Sequence, residues 1–265
     1  MTLLSLTKRL REGGISEADV EARLLLSHFC GVSPAALLAD RARDYKGEAL
    51  EAAVARRLTR EPLAHILGEV GFFEESYFVS PDCLIPRADT ELLVEKAIAL
   101  LPRGARFADL CTGSGCIAVS VLAHRPDLSA LAVDLSDAAL SLARRNAVRN
   151  GVINRIGFLK DDVLSPACLE NDFDVILSNP PYIPTEVVPT LAPELAHEPK
   201  MALDGGEDGL LFYRALLKHF SPSLFLLEIG FDQGKDIAHL GEEYGYAVTV
   251  ERDLGGNDRL AILKK

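Results

Sequence analysis

The sequence predicts an α/β fold, a doubly wound, mostly parallel sheet with an antiparallel last strand, preceded by a small helical domain. Three observations predict it. From Arg103 onward, short apolar runs alternate with stretches of helical periodicity, the pattern of a parallel sheet covered by helices on both faces. The last two runs, Ala247–Glu251 and Arg259–Leu263, are separated only by a few residues around Gly255-Gly256-Asn257. That is hairpin spacing, so the final strand should run antiparallel. Residues 1 to about 62 carry helical signals and no strand-like alternation.

In the helical segment, Ser16-Glu17-Ala18-Asp19 resembles a capping box opening a run to His28, with Gly31 as the residue past its end. A second helix over Lys46 to Thr59 places Leu50, Val54 and Leu58 on one face, and Pro62 ends it. Arg56, Arg57 and Arg60 read as a solvated helix face, with contact to an acidic partner as the alternative. Residues 63–87 form a connecting stretch that contains a hairpin, Glu69–Phe73 with Ser76–Val79. The first domain is thus expected over residues 1–75 and the second over 88–265.

Asp89 reads as the N-cap of a helix over Thr90–Leu101. The alternating region then follows. Strands are expected at Arg106–Cys111, Ala130–Asp134, Ile156–Lys160, Phe173–Leu177 and Leu224–Ile229. Helices are expected at Cys116–His124, Asp137–Asn150, Gly209–Phe220 and Gln233–Tyr244. No internal repeat or low-complexity tract interrupts them.

Composition narrows the classes. The chain has 265 residues, 48% hydrophobic and 25% charged, enough to bury a core without staples. Its five cysteines are odd in number and contain no Cys-x-x-Cys pair, so they read as free thiols of a reducing cytoplasm. The six histidines are scattered without metal-ligand spacing, and no metal is expected. No run reaches the ~20 apolar residues of a membrane span. Residues 1–75 carry 10 basic and 12 acidic side chains, and the remainder 18 and 27, for charges of −2 and −9. Such an acidic second part is a poor match to a polyphosphate, and no direct nucleic-acid binding is expected.

Two strand ends carry chemistry. Asp109-Leu110-Cys111-Thr112-Gly113-Ser114-Gly115-Cys116 joins the first strand to a helix. Glycines there permit positive φ, and the helix start offers free N–H groups. Asp134 ends the next strand, where a carboxylate accepts from both hydroxyls of a ribose. Gly113-x-Gly115-x-x-Ala118 with Asp134 also matches a dinucleotide fingerprint, so a nicotinamide enzyme competes on this segment. Asp109 inside the turn would repel a pyrophosphate and favour a cationic ligand end, and Asp161-Asp162 would accept from an adenine amino group. Ser178-Asn179-Pro180-Pro181-Tyr182 stops the next strand in a stiff turn, because each proline fixes φ and Pro180 holds Asn179 out of helical geometry. That turn presents an amide, backbone carbonyls and an aromatic ring. If the Arg106 and Phe173 strands are neighbours, the two turns face one another.

With these residues in view, the chain resembles a known family. Asp109-Leu110-x-Thr112-Gly113-Ser114-Gly115, a strand-end acid and Ser178-Asn179-Pro180-Pro181-Tyr182-Ile183 form the pattern of S-adenosylmethionine-dependent amino-methyltransferases. The flanks narrow it to HemK/PrmC. They are Pro62-Leu63-Ala64-His65, Phe78-Val79-Ser80-Pro81, Leu84 to Glu91, Glu198-Pro199, Gly206-x-Asp208-Gly209 and Asp253-x-x-Gly256-Asn257-Asp258-Arg259. The resemblance implies a Rossmann-like class I methyltransferase fold and transfer from S-adenosyl-L-methionine, leaving S-adenosyl-L-homocysteine. The acceptor it implies is the glutamine N5 of the Gly-Gly-Gln motif in peptide-chain release factors. It further implies that Cys111, Thr112, Gly113, Ser114, Gly115, Asp134, Asp162, Val163 and Asn179 hold the cofactor. Asn179, Pro180, Pro181 and Tyr182 would hold the glutamine amide, with Asn179, Pro180 and Tyr182 catalytic. Cys111 stands where the family often has glycine, and Val163 where some members have tryptophan.

An amide nitrogen is a poor nucleophile because its lone pair is delocalised. Accepting both of its N–H bonds, through the Asn179 oxygen and the Pro180 carbonyl, would orient it toward a sulfonium methyl, with Tyr182 flat against the amide plane. Asn179 would orient and accept, and no dedicated base is evident. The rival reading is an adenine-N6 methyltransferase on DNA or RNA using the same acceptors; a catalytically silent cofactor-binding module is another.

Overall fold

The computed structural model describes residues 1–168 and 173–265. These form two compact units, Met1–Gly68 with Ala192–His197, and Glu69–Leu191 with Glu198–Lys265.

The first unit is helical: α1 (Leu3–Glu12), α2 (Ala18–Cys30), α3 (Pro34–Ala39), α4 (Glu48–Leu58) and α5 (Leu63–Leu67). Leu6, Leu10, Leu25, Leu26, Leu37, Leu50 and Val54 form its core. The capping box lies at α1, where Thr2 Oγ1 accepts from Ser5 N and Ser5 Oγ from Thr2 N. At α2, by contrast, Glu17 holds the N-cap position and gives no side-chain bond, so the expected box at Ser16 is absent. Gly31 ends α2 in the left-handed conformation as anticipated. Residues 63–67, expected as connector, are helical.

Arg57 corrects a second expectation. It is buried, pairing with Glu21 at 2.6 Å and with Glu194 at 3.3 Å. Arg60 meets Glu194 at 2.7 Å, and Arg56 binds Glu61. The acidic partners of these arginines belong to their own unit. Periodicity placed Arg57 on a helix face but carried no information on what covers that face.

The second unit opens with the hairpin β1 (Glu69–Phe72) and β2 (Glu75–Phe78). A 3-10 turn, Ala88–Thr90, leads into α6 (Glu91–Leu100). Asp89 therefore sits inside that turn and does not cap the helix. Then come β3 (Arg106–Leu110), α7 (Cys116–His124), β4 (Ser129–Asp134), α8 (Asp137–Arg149), β5 (Ile156–Lys160) and β6 (Val175–Ser178). After the short 3-10 turns Val188–Thr190 and Lys200–Ala202 follow α9 (Leu211–His219), β7 (Leu224–Glu228), α10 (Gly234–Glu243), β8 (Ala247–Arg252) and β9 (Asp258–Lys264).

The seven strands are ordered β5-β4-β3-β6-β7-β9-β8, and β9 alone runs antiparallel to its neighbours β7 and β8. This is the class I methyltransferase arrangement. Every residue of β6 and β7 is buried, because helices cover both sheet faces. Alternate residues feed opposite layers: Leu224 and Leu226 pack in one core, Phe225 and Leu227 in the other. Chain order reverses between β3 and β6, whose last residues Leu110 and Ser178 are paired. A doubly wound sheet opens a crevice at that reversal, past the carboxyl ends of its strands.

Candidate active site

A cleft of about 420 Å³ lies at this switch point, within the size range of small-ligand sites. Its floor is the turn after β3. Cys111 adopts φ 60°, the left-handed region that favours glycine, and carries its Cβ there at a cost of about 1–2 kcal/mol. Burial, with Asp134 and Asp109 nearby, holds its thiol protonated. Ser178, fully buried, ties the two strand ends together by donating to the Leu110 carbonyl at 2.6 Å.

Cys111, Thr112, Gly113 and Ser114 line the cleft. Gly115 does not. It takes φ 80° at the start of α7, and a Cβ on it would stand 3.0 Å from Ala143 Cβ. Its part is to let α7 close against α8. Asp109 also differs from expectation. It is completely buried behind the turn, where Oδ2 accepts from the Thr112 hydroxyl (2.6 Å) and the Ala118 N–H (3.2 Å). Burial pushes it up to about 7. It braces the turn and offers the cleft no carboxylate.

Asp134 faces the cleft from the end of β4. Its Oδ2 accepts from Gly113 N and its Oδ1 from Ser136 N, each at 2.9 Å. Burial raises its pKa against the pull of these N–H groups. Each oxygen keeps a second lone pair, the pair of acceptors a vicinal diol needs. Past β5, the two acids divide their tasks. Asp161 is turned inward on the N–H groups of Asp162, Ala167 and Cys168, while Asp162 uses Oδ1 on Leu164 N. Val163, nearly buried, completes an apolar wall.

On the other side stands Asn179. Its Nδ2 donates to the Thr90 hydroxyl at 3.1 Å, which turns Oδ1 outward. Among the described residues, no donor takes Oδ1 or the Pro180 carbonyl. Asn179 and Pro181 line the cleft, whereas Pro180 and Tyr182 stand beside it. The Tyr182 hydroxyl points back at Glu228 Oε1, 3.4 Å away.

Several flanking motifs explain why this turn is rigid. Gly205 and Gly209 lie so close that added Cβ atoms would fall 2.7 Å from Tyr182 Cα and 2.3 Å from Tyr182 O. Gln233 Nε2 clamps Tyr182 O and Gly209 O together. Buried Glu198 takes Ile85 N with one oxygen and pairs with Arg87 through the other, fixing the opposite wall. Thr90, Gln233 and Glu228 were not singled out from sequence. The glycine spacing of Gly206-x-Asp208-Gly209 is visible in the sequence, but its role as a buttress is not.

The residues present fit an S-adenosylmethionine molecule: a diol acceptor pair at Asp134, an acid-bearing apolar wall and an open turn. Above Gly113 a Cβ would meet only Cys83 Cβ, at 3.7 Å, so a ligand can lie against that backbone. Among the described residues no His, Cys, Asp and Glu cluster could hold a metal, and no helix is long and apolar enough to cross a membrane.

Comparison with known proteins agrees. Residues 2–68 match the family "PrmC N-terminal domain" and residues 88–235 the "Methyltransferase small domain". The release factor glutamine methyltransferase of Caulobacter vibrioides is 38% identical over 266 residues, spanning 96% of this chain and 92% of that protein. That of Cereibacter sphaeroides is 43% identical over 262 residues, 95% and 93% of the two. Among solved structures, the hMettl16 catalytic domain in complex with a MAT2A 3′UTR hairpin shares the fold, with TM-score 0.57, 16% identity and 82% coverage of each chain. Sequence likeness over nearly the full length, on a class I methyltransferase sheet with a helical unit before it, makes this chain a member of the release factor glutamine methyltransferase family.

Proposed function

We propose that this chain transfers a methyl group from S-adenosyl-L-methionine to the side-chain amide nitrogen of the glutamine in the Gly-Gly-Gln motif of peptide-chain release factors. The observation that carries this reading is the orientation of Asn179, whose Nδ2 is committed to Thr90 so that Oδ1 remains as an acceptor beside the untaken Pro180 carbonyl. A primary amide offers two N–H donors, and two acceptors at one turn suit it.

When bound, S-adenosylmethionine supplies an electrophilic methyl on a sulfonium. Asp134 would accept from the ribose hydroxyls, the Cys111–Ser114 turn would lie under the ligand, and Asp162 and Val163 would border the adenine. Asn179 and Pro180 hold the glutamine nitrogen in line, a positioning contribution worth up to ~7–11 kcal/mol when ideal. Their neutral oxygens also favour the positive charge that develops on that nitrogen. Tyr182, with its hydroxyl directed at Glu228, offers the substrate amide a ring edge or face from beside the cleft. As the amide nitrogen gains the methyl, the sulfonium would leave as a neutral thioether and one N–H proton of the amide would pass to water. We assign the helical unit to recognition of the release factor and the whole reaction to the cytoplasm, where release factors act.

The test is direct. Purified protein, S-adenosylmethionine and each release factor are incubated, and any added methyl is located by peptide mass spectrometry. One methyl on the Gly-Gly-Gln glutamine, lost by about 10²-fold or more in Asn179→Ala, is expected. Methyl transfer to RNA or DNA instead would establish the adenine reading on the same acceptors.

A further inference from the structure

Five aspartates line the cleft, Asp82, Asp134, Asp161, Asp162 and Asp204, and among the described residues Arg87 is the single lysine or arginine that lines it with them. In the chain Arg87 lies between two residues already placed at the site. Cys83 supplies the one atom within 4 Å of a Cβ built on Gly113, and Thr90 takes Nδ2 of Asn179. The Arg87 guanidinium is held at one nitrogen by Glu198, whose other oxygen takes the Ile85 N–H. The Glu198 side chain is 1% exposed, so this anchor is buried, whereas the Arg87 side chain stays 42% exposed. A guanidinium carries five N–H donors in a fixed fork. Among the described residues no second acceptor takes the others.

Strand order sets the direction in which a ligand lies. Along β5-β4-β3-β6 the cleft presents Asp162 after β5, Asp134 at the end of β4, the Cys111–Ser114 turn after β3 and Asn179 after β6. S-adenosylmethionine runs in the order adenine, ribose, sulfonium, amino acid. With adenine and ribose at the first two positions and the methyl toward Asn179, the amino-acid end falls over the β3 turn, beside the 83–90 segment. That end carries the ligand's one anionic group, an α-carboxylate. The aspartates of the cleft suit the ligand's ammonium and sulfonium and oppose its carboxylate, which needs a cation of its own.

We propose that Arg87 binds the α-carboxylate of S-adenosylmethionine, with Glu198 as the buried anchor that holds the guanidinium at the cleft. The assignment rests on the methyltransferase reading above and deepens it. A planar guanidinium and a carboxylate pair through two parallel N–H···O bonds, which the point charge of a lysine does not reproduce. Glu198 occupies one nitrogen of the fork and leaves donors for the ligand. S-adenosylhomocysteine keeps the same carboxylate, so Arg87 holds substrate and product alike and adds nothing to the chemical step itself.

The experiment is calorimetric titration of the wild type, Arg87→Met and Arg87→Lys with S-adenosylmethionine and with its decarboxylated form, which differs only in lacking the carboxylate. Thermal unfolding of each variant serves as the folding control. The wild type should bind S-adenosylmethionine roughly 10- to 10²-fold more tightly than the decarboxylated ligand. Arg87→Met should lose that preference through weaker binding of S-adenosylmethionine, with the decarboxylated ligand held within about threefold. Arg87→Lys, which keeps a cation against Glu198 but not the fork, should retain part of the preference. Equal weakening of both ligands in Arg87→Met would show that Arg87 only props the wall, and would overturn the proposal. A wild type that binds the two ligands equally would overturn it without recourse to any variant. A wild type that binds neither ligand, or binds both and leaves glutamine unmodified, would instead overturn the functional reading.

Discussion

Asp134 offers the sharpest test of the cofactor site. Its two oxygens each hold one backbone N–H, Gly113 on Oδ2 and Ser136 on Oδ1, both at 2.9 Å. Asp134→Asn leaves one acceptor oxygen and places an NH₂ against the other N–H. The turn loses one charge-assisted bond, worth about 1.5–3 kcal/mol, and the ribose loses one acceptor of the same kind. The ribose share alone corresponds to roughly 10- to 10²-fold weaker binding of S-adenosylmethionine. Isothermal titration with S-adenosylmethionine and S-adenosylhomocysteine reads this directly, and thermal unfolding of the free variant reads the turn separately. Both ligands should weaken by the same factor, since the difference between them lies at the sulfur and not at the ribose. A variant that unfolds at the wild-type temperature and binds both within threefold of wild type would show that Asp134 is a turn brace and no ribose ligand.

Two further outcomes follow from the same geometry. Gly209→Ala puts a Cβ 2.3 Å from Tyr182 O at φ +74°, so it should cost about 2–4 kcal/mol in urea unfolding and lower kcat by displacing the substrate turn. Gly245→Ala is its control, at φ +81° with nothing within 4 Å, and should cost only the ~1 kcal/mol of the left-handed conformation while leaving kcat untouched. Stability should also fall as pH rises from about 5.5 to about 8. Asp109 and Glu228, both raised to about 7, bind more protons folded than unfolded in that window. Their contribution is complete below the ordinary carboxyl range and is lost as pH passes about 7. The carboxyls lowered by arginine partners, Asp127 and Asp208, act at far lower pH and with the opposite sign. Urea unfolding at the two pH values should therefore show a decrease of order 1 kcal/mol or more, smaller in Asp109→Asn. A wild-type stability that rises across the window would contradict the burial of these acids.

Much of the second unit was legible because each strand's apolar run and each turn's glycines or prolines report local constraints. Cys116–His124 and Ile156–Lys160 fall where the pattern put them, and the antiparallel β9 follows from a short connection alone. The side that Asp109 faces is hidden in the sequence for a reason equally local. A carboxylate in a strand-to-helix turn can face the ligand or the helix, and sequence does not say which. The choice is made by Thr112 and Ala118, whose donors close on Oδ2 from within the turn. Ser16 failed likewise: a serine three residues before an acid caps only if the chain enters the helix with it in place, and α2 starts one residue later than a box at Ser16 requires.

The polar groups behind Asn179 lay beyond any local reading. Thr90 and Glu228 are far apart in sequence, and Glu228 closes a strand, Leu224–Glu228, whose other residues are all apolar. Nothing in such a run predicts that its last residue is a buried acid 3.4 Å from the hydroxyl of Tyr182 in the turn after β6. Ser178 pairs with Leu227, so the next residues, Asn179 just past β6 and Glu228 at the end of β7, emerge at the same height of adjacent strands. An asparagine at that height can form its hydrogen bonds in two orientations of nearly equal shape, and only one presents an oxygen to the cleft. The proline turn fixes where Asn179 stands but leaves that choice open. The Thr90 hydroxyl behind it meets Nδ2, and with the nitrogen so engaged the oxygen is the atom left to face the cleft.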